Sequence, residues 1–322
     1  MPSLDDPRWN PEMRAVILQG AKAASELPLL RPDASPEQER AHNEKLSAAA
    51  GRSGPAMAEI TNTWVAVRGR RIYCRVYRPR TDKLLPAAIY FHGGGWYFSS
   101  VDTHDCVART YAAAGEIAVI SVDYALAPEA KFPQAVEECA AVAQHVASHA
   151  AEWNIDGERL LLLGDSAGGN LALAAALILR DRKWPPLRGV LAAYPVCDSD
   201  FDTPSYREFG DGPLLTADRM RFFWRTYVKH PADMLHPWAA PLRADLTQLP
   251  PMLLHVGELD VLRSEVEAFA NKLARSNVRV NFEIFPGLAH GFMRATEAIA
   301  LARQARDKAG EWIRQVVAPT GK

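Results

Sequence analysis

What most narrows the fold of this chain is an alternation. Short, continuous apolar runs recur along it: "PAAIYF", "IAVISVDY", "RLLLLG", "GVLAAYP", "PMLLHVG" and "VRVNFEIF". Between them lie helix-like stretches such as "PQAVEECAAVAQHVASHA" and "SEVEAFANKLARS". A strand that is apolar all along its length must be covered on both faces, and strands separated by helices run parallel. The expected fold class is therefore α/β, a mostly parallel central sheet with helices on both faces. Upstream, "RIYCRVYRP" sets Ile72, Cys74 and Val76 on one face and Tyr73, Arg75 and Tyr77 on the other, the period of a strand.

Residues 1 to about 50 read as two helices. Pro11 suits the first position of one, and the other follows Pro36 and ends near Gly51. A last helix is expected over residues 294–317. One stretch, residues 195–245, breaks the alternation. It is rich in Pro, Asp and aromatics, with a single helix expected over residues 216–228. Excursions of this length are commonly lids or binding segments.

The net charge of −1 and the lack of a basic stripe argue against a nucleic-acid partner. The first twenty residues lack the basic-then-apolar pattern of a signal peptide. The longest apolar run, residues 171–179, is too short to span a bilayer. A cytoplasmic protein without membrane association is expected. Cys74, Cys106, Cys139 and Cys197 form neither a C-x-x-C pair nor a zinc-ligand spacing with histidine, and read as buried thiols. No metal or cofactor is implied.

The candidate chemistry sits where "RLLLLG" runs into "DSAGGNLALAAAL". Gly164-Asp165-Ser166-Ala167-Gly168 closes an apolar strand and opens a helix, the context in which G-x-S-x-G forms a nucleophile elbow. The glycines permit a tight turn that leaves the Ser166 hydroxyl exposed at the carboxyl end of the strand, where α/β sheets place ligands. The Ala167 amide then lies at a helix N-terminus, suited to developing negative charge.

A serine nucleophile needs a base, and the base needs an orienting group. Of the histidines after Ser166, His290 lies in "FPGLAHGF", a loop between the last strand and the last helix. His255 lies inside an apolar strand and reads as a hydrogen-bonded core residue; His230 and His236 fall in the excursion and read as surface or lid residues. "LLHVGELDVLRSE" offers Asp260, with Glu258 as the fallback acid. After "AAIYF", residues 92–95 read His-Gly-Gly-Gly, where glycine lets backbone amides approach an oxyanion closely. His92 precedes the serine and is expected to order this loop rather than act as base. Trp96, Tyr97 and Phe209 are candidates for lining a substrate pocket.

HGGG, GDSAG, Asp260 and "HGF" together resemble the hormone-sensitive-lipase-like family of α/β-hydrolases, particularly its bacterial esterase branch. The likeness runs from about residue 60 to the C-terminus. It implies the α/β-hydrolase fold, with a catalytic domain over 51–194 and 246–322. A helical cap would come from residues 1–50 and the insertion 195–245. It implies Ser166 as nucleophile, His290 as base, Asp260 as its orienter, and Gly94, Gly95 and Ala167 as oxyanion donors. The activity implied is hydrolysis of small-molecule esters of short to medium acyl chain. A homodimer through the last strand, "VRVNFEIF", is also implied. The same resemblance takes in non-catalytic small-molecule receptors and dehydratases, against which an intact Ser166, Asp260 and His290 argues. Two departures stand out. Ala125 replaces the family's arginine in Y-R-L-A-P-E, so a packed arginine contact is expected to be missing there. Residues 260–265 read D-V-L-R-S-E in place of D-P-L-R-D-E, which alters the support of Asp260.

Overall fold

The computed structural model describes residues 4, 6–31, 33–51, 53–185 and 187–319. Its centre is an eight-stranded sheet in the order β1-β2-β4-β3-β5-β6-β7-β8. The strands are β1 (Glu59–Val67), β2 (Arg70–Arg78), β3 (Leu85–Phe91), β4 (Ala118–Asp123), β5 (Ile155–Asp165), β6 (Gly189–Ala193), β7 (Met252–Gly257) and β8 (Val280–Phe285). β1 pairs antiparallel with β2, and β2 with β4; every pairing from β4 to β8 is parallel. Each apolar run named above is one of these strands. β3, β6 and β7 are buried at every position, as two-sided cover requires.

That cover comes from two helix pairs. α3 (Asp105–Gly115) packs against α9 (Ala300–Val316), and α4 (Gln134–Ser148) packs against α5 (Ala167–Asp181). Gly310 lets α9 approach α3 closely, since a Cβ there would lie 2.5 Å from the Ala114 carbonyl oxygen. α8 (Arg263–Arg275) covers β7 and β8. No helix among the described residues is long and apolar enough to cross a membrane.

The N-terminal segment forms α1 (Pro11–Ser25) and α2 (Pro36–Ala49), each opened by a capped proline turn. α1 buries Met13 and Ile17, whereas α2 buries no residue. The insertion between β6 and β7 carries α6 (Pro204–Phe209), α7 (Ala217–Tyr227) and two short 3-10 turns. β1 is an addition to the strands expected from the sequence. It is exposed along most of its length, with only Val65 buried, so it lacks an apolar run. The last helix begins at Ala300 rather than at 294. Phe292–Ala295 is a separate 3-10 turn, and the Glu12 carboxylate of α1 accepts the Ala300 N–H that starts α9 (2.6 Å).

Candidate active site

The carboxyl ends of β3, β5, β7 and β8 meet at one place. β5 runs into α5 through Ser166, whose φ of 54° and ψ of −122° are unfavourable for a residue with a Cβ. The surroundings enforce the turn. A Cβ at Gly168 would overlap the Phe91 carbonyl oxygen of β3, and one at Gly164 would overlap the Gly168 carbonyl. The Ser166 N–H donates to the Ala193 carbonyl (2.9 Å), and its own carbonyl accepts from Asn170 N (3.0 Å). Strain at this residue is thus held by contacts on both sides.

His290 reaches the serine from the loop after β8. Its Nε2 lies 2.9 Å from Ser166 Oγ and its Nδ1 lies 2.9 Å from Asp260 Oδ2. A carboxylate only accepts, so Nδ1 carries the proton and Nε2 is left to accept from the serine hydroxyl. The Asp260 side chain is wholly buried, and its Oδ1 accepts from Leu262 N (3.0 Å). The imidazole also packs on Tyr194, with ring centroids 4.8 Å apart. Glu258 does not face His290; its carboxylate accepts from Gly287 N (2.8 Å) and so ties down the loop that carries the histidine. The same loop is held by α1, because Asn10 N donates to the Gly287 carbonyl (3.1 Å).

The other histidines lie elsewhere. His230 and His236 are exposed. His255 is a core residue but not a hydrogen-bonded one: among the described residues neither ring nitrogen has a partner. It packs edge-on against Phe285 (5.0 Å), and burial pushes its pKa down to about 3, so it is neutral.

The loop after β3 brings residues 92–95 to the elbow. Gly94 and Gly95 have φ values of 122° and 62°, the region that favours glycine. The ring of Phe223, from α7, occupies the space that a Cβ at Gly95 would need. Among the described residues, the N–H groups of Gly94, Gly95 and Ala167 make no bond to a backbone carbonyl. The loop itself runs beside the serine, since a Cβ at Gly93 would lie 3.2 Å from Ser166 Cβ. His92 orders the loop: its Nδ1 donates to the Gly93 carbonyl (2.9 Å), it stacks on Tyr124 (4.4 Å), and burial pushes its pKa down to about 3.

Trp96 is fully buried and stacks face to face on Tyr227 (4.2 Å, 5°). Tyr97 meets Phe222 edge-on (5.3 Å). Phe209 is buried on α6 between the guanidinium groups of Arg8 (5.6 Å) and Arg263 (5.4 Å). The segment 124–129 has no arginine of its own, yet one reaches it. Arg40 of α2 donates to the Ala127 carbonyl (2.7 Å), the Tyr97 carbonyl (2.8 Å) and the Glu129 carboxylate (2.6 Å). The altered loop after Asp260 is held from α6, where Ser205 Oγ donates to the Val261 carbonyl (2.6 Å) and accepts from Ser264 N (3.1 Å). Neither Arg40 nor Ser205 carries a local motif, so sequence periodicity does not point to them. A concavity of about 1130 Å³ at the opposite end of the strands, near Trp184, Leu187 and Arg188, contains none of these groups.

A family model described as alpha/beta hydrolase fold matches residues 88–294. The chain belongs to the hormone-sensitive-lipase-like esterases of that fold. Carboxylesterase NlhH of Mycobacterium tuberculosis is 37% identical over 236 residues, 72% of this chain and 74% of that protein. Ethyl acetate hydrolase of Pseudomonas putida is 32% identical over 293 residues, 88% and 92% of the two chains. An esterase structure from Pyrobaculum calidifontis superposes with a TM-score of 0.88 at 35% identity, covering 97% of this chain and 100% of that one. This esterase is therefore a serine carboxylesterase acting on small-molecule esters.

Proposed function

We propose that the esterase cleaves short- to medium-chain acyl esters through a covalent acyl-serine. Ser166 Oγ attacks the ester carbonyl while His290 Nε2 takes its proton. Asp260 holds the ring in the tautomer that can do so and stabilises the imidazolium that forms. The oxyanion is received by the amides of Gly94, Gly95 and Ala167. The alcohol leaves with the proton from His290. Water, deprotonated by the same nitrogen, then releases the acid and restores Ser166. The observation that carries this reading is the continuous chain from serine to imidazole to carboxylate, with 2.9 Å at both links.

Residues 1–50 and 195–245 act as the cap over this site, with 51–194 and 246–322 as the catalytic body. Trp96, Tyr97 and Phe209, all buried rings, shape the wall of the substrate pocket. The name of the Pseudomonas putida relative, an ethyl acetate hydrolase, supports a preference for short chains. Four buried cysteine thiols support work in the cytoplasm, a reducing compartment. β8 lies at the edge of the sheet with Ile284 exposed, which supports a homodimer through that strand. Light scattering after size exclusion tests the dimer, for which a monomeric mass is the contrary result.

The test of the reaction is hydrolysis of p-nitrophenyl acetate, butyrate, octanoate and palmitate by the wild type and Ser166→Ala. Activity should peak at the shorter chains and collapse in the folded variant. Activity that survives in Ser166→Ala, or that rises towards palmitate, contradicts the proposal.

A further inference from the structure

Asp165 precedes the nucleophile and takes no part in the proton transfers, yet its carboxylate is heavily engaged. The residue is 2% exposed. Its Oδ1 accepts from the Tyr90 hydroxyl of β3 (2.5 Å) and from the Gly93 amide (3.0 Å). Its Oδ2 lies 3.4 Å from His104 Nε2, at the start of α3. Burial by itself would raise the Asp165 pKa, but His104, the Tyr90 hydroxyl and Arg294 overcome it and hold it at about 2. The group is therefore an anion near neutral pH.

The place where it acts is defined by the sheet. β3 and β5 are parallel neighbours, and their ladder ends at the pair Phe91–Gly164. Beyond that pair the glycine loop and the elbow stay in contact, a Cβ at Gly93 lying 3.2 Å from Ser166 Cβ, but no backbone hydrogen bond among the described residues joins them. The Asp165 carboxylate supplies the hydrogen bond that does join them, through the Gly93 amide. A Cβ at Gly93 would lie only 2.6 Å from Asp165 Oδ2, so the carboxylate rests against the loop backbone. The remaining groups of the loop are fixed as well. The Gly93 carbonyl accepts from His92 Nδ1, and the His92 carbonyl accepts from the Tyr124 hydroxyl (2.7 Å). Both peptide groups flanking Gly93 are thereby held, one residue ahead of Gly94 and Gly95.

We propose that Asp165 is a positioning residue that sets the spacing between the two halves of the oxyanion hole. One half, Ala167, lies two residues after it. The other, Gly94 and Gly95, follows the Gly93 amide it binds. This rests on the proposed role of those three amides. Hole donors act on charge that develops in the transition state, so a small error in their spacing costs catalysis more than ester binding. Loss of Asp165 should therefore lower kcat and leave KM almost unchanged.

The experiment compares Asp165→Ala, Asp165→Asn and Tyr90→Phe with the wild type. It measures kcat and KM on p-nitrophenyl butyrate, inhibition by a trifluoromethyl ketone, and thermal unfolding. The ketone adds to the serine as a tetrahedral oxyanion and so reports the hole directly. Asp165→Ala should lose roughly 10- to 100-fold in kcat, with KM within about two-fold and ketone affinity falling by the same factor. Asp165→Asn keeps an oxygen for the Gly93 amide and should recover much of the loss; Tyr90→Phe should fall less than Asp165→Ala. A folded Asp165→Ala with near-wild-type kcat overturns the proposal. So does a kcat loss in any variant, the milder two included, without a matching loss of ketone affinity. Ser166→Ala is the control that separates the two readings. If it is inactive while Asp165→Ala is not, only the role of Asp165 fails; if it is active, the reading of the whole site fails.

Discussion

The strand ends and the α2 helix both border the site, but they are held by opposite means. At the strand ends the groups are buried, glycines remove the last ångström between backbones, and the Gly93 amide and the carbonyls of His92 and Gly93 each have a named partner. α2 buries nothing and is fastened by polar contacts near its surface. Arg40 binds Glu129, Ser100 Oγ donates to Glu44 (2.8 Å), and Arg294 donates to Ser47 (3.0 Å). Buried, well-packed contacts fix geometry, while exposed ion pairs contribute little and weaken in salt. The groups that set the reaction geometry are thus held by buried packing and hydrogen bonds, whereas α2 is held by polar contacts at the surface.

The largest effect is expected at Gly168. Alanine there meets the Phe91 carbonyl, a backbone atom that cannot turn aside, and should cost about 3 kcal/mol or more in urea unfolding. A loss below about 1 kcal/mol would show the elbow to be looser than described. Gly95→Ala should spare the fold better, because the nearest obstacle is the Phe223 side chain rather than backbone. It should still reduce kcat by about 10²-fold, through a strained φ and a displaced donor. Adding Phe223→Ala should restore part of that loss, and no restoration would place the cost in the backbone alone.

Acid sharpens the contrast further. His92 and His255 are held neutral by burial, with pKa values near 3 instead of 6.5. Unfolded, both take up protons as pH falls below about 6.5, but folded they resist until about 3. Stability should therefore drop as pH falls through that window, by about 1.4 kcal/mol per pH unit for each histidine. His255→Leu should flatten this limb by one proton, measured as unfolding free energy against pH. An unchanged limb would mean that His255 is protonated in the folded chain. Smallest of all is Arg40→Gln. It should cost less than about 1 kcal/mol, less still in high salt, and should leave kcat within about two-fold. A larger, salt-independent loss would make α2 part of the rigid body.

The same contrast explains what could be read in the sequence. Strands β3 to β7 were legible because burial on both faces writes itself as an unbroken apolar run, while β8, a half-exposed edge strand, was legible from its alternating apolar residues. The elbow was legible because its glycines and serine are adjacent in the chain. β1 was not, since one exposed antiparallel edge strand such as "EITNTWVAV" carries no such run. Nor was the start of α9, which is set by the Glu12 carboxylate from 288 residues away. The choice between Glu258 and Asp260 was open at short range and is made by where β8 delivers His290. Long-range polar ties leave no periodic trace: Asp165 with Gly93, Arg40 with Ala127, Ser205 with Val261. Only Asp165 gave a hint, as a charged residue between a buried strand and the serine.

Titration with diethyl p-nitrophenyl phosphate, followed by intact-mass analysis and peptide mapping, tests whether Ser166, activated by His290, is the nucleophile. One diethylphosphoryl group should appear per chain, on the peptide carrying Ser166. Activity should fall in step with labelling, and His290→Ala should label far more slowly. Full activity after complete labelling, or a label on any other residue, would contradict the account.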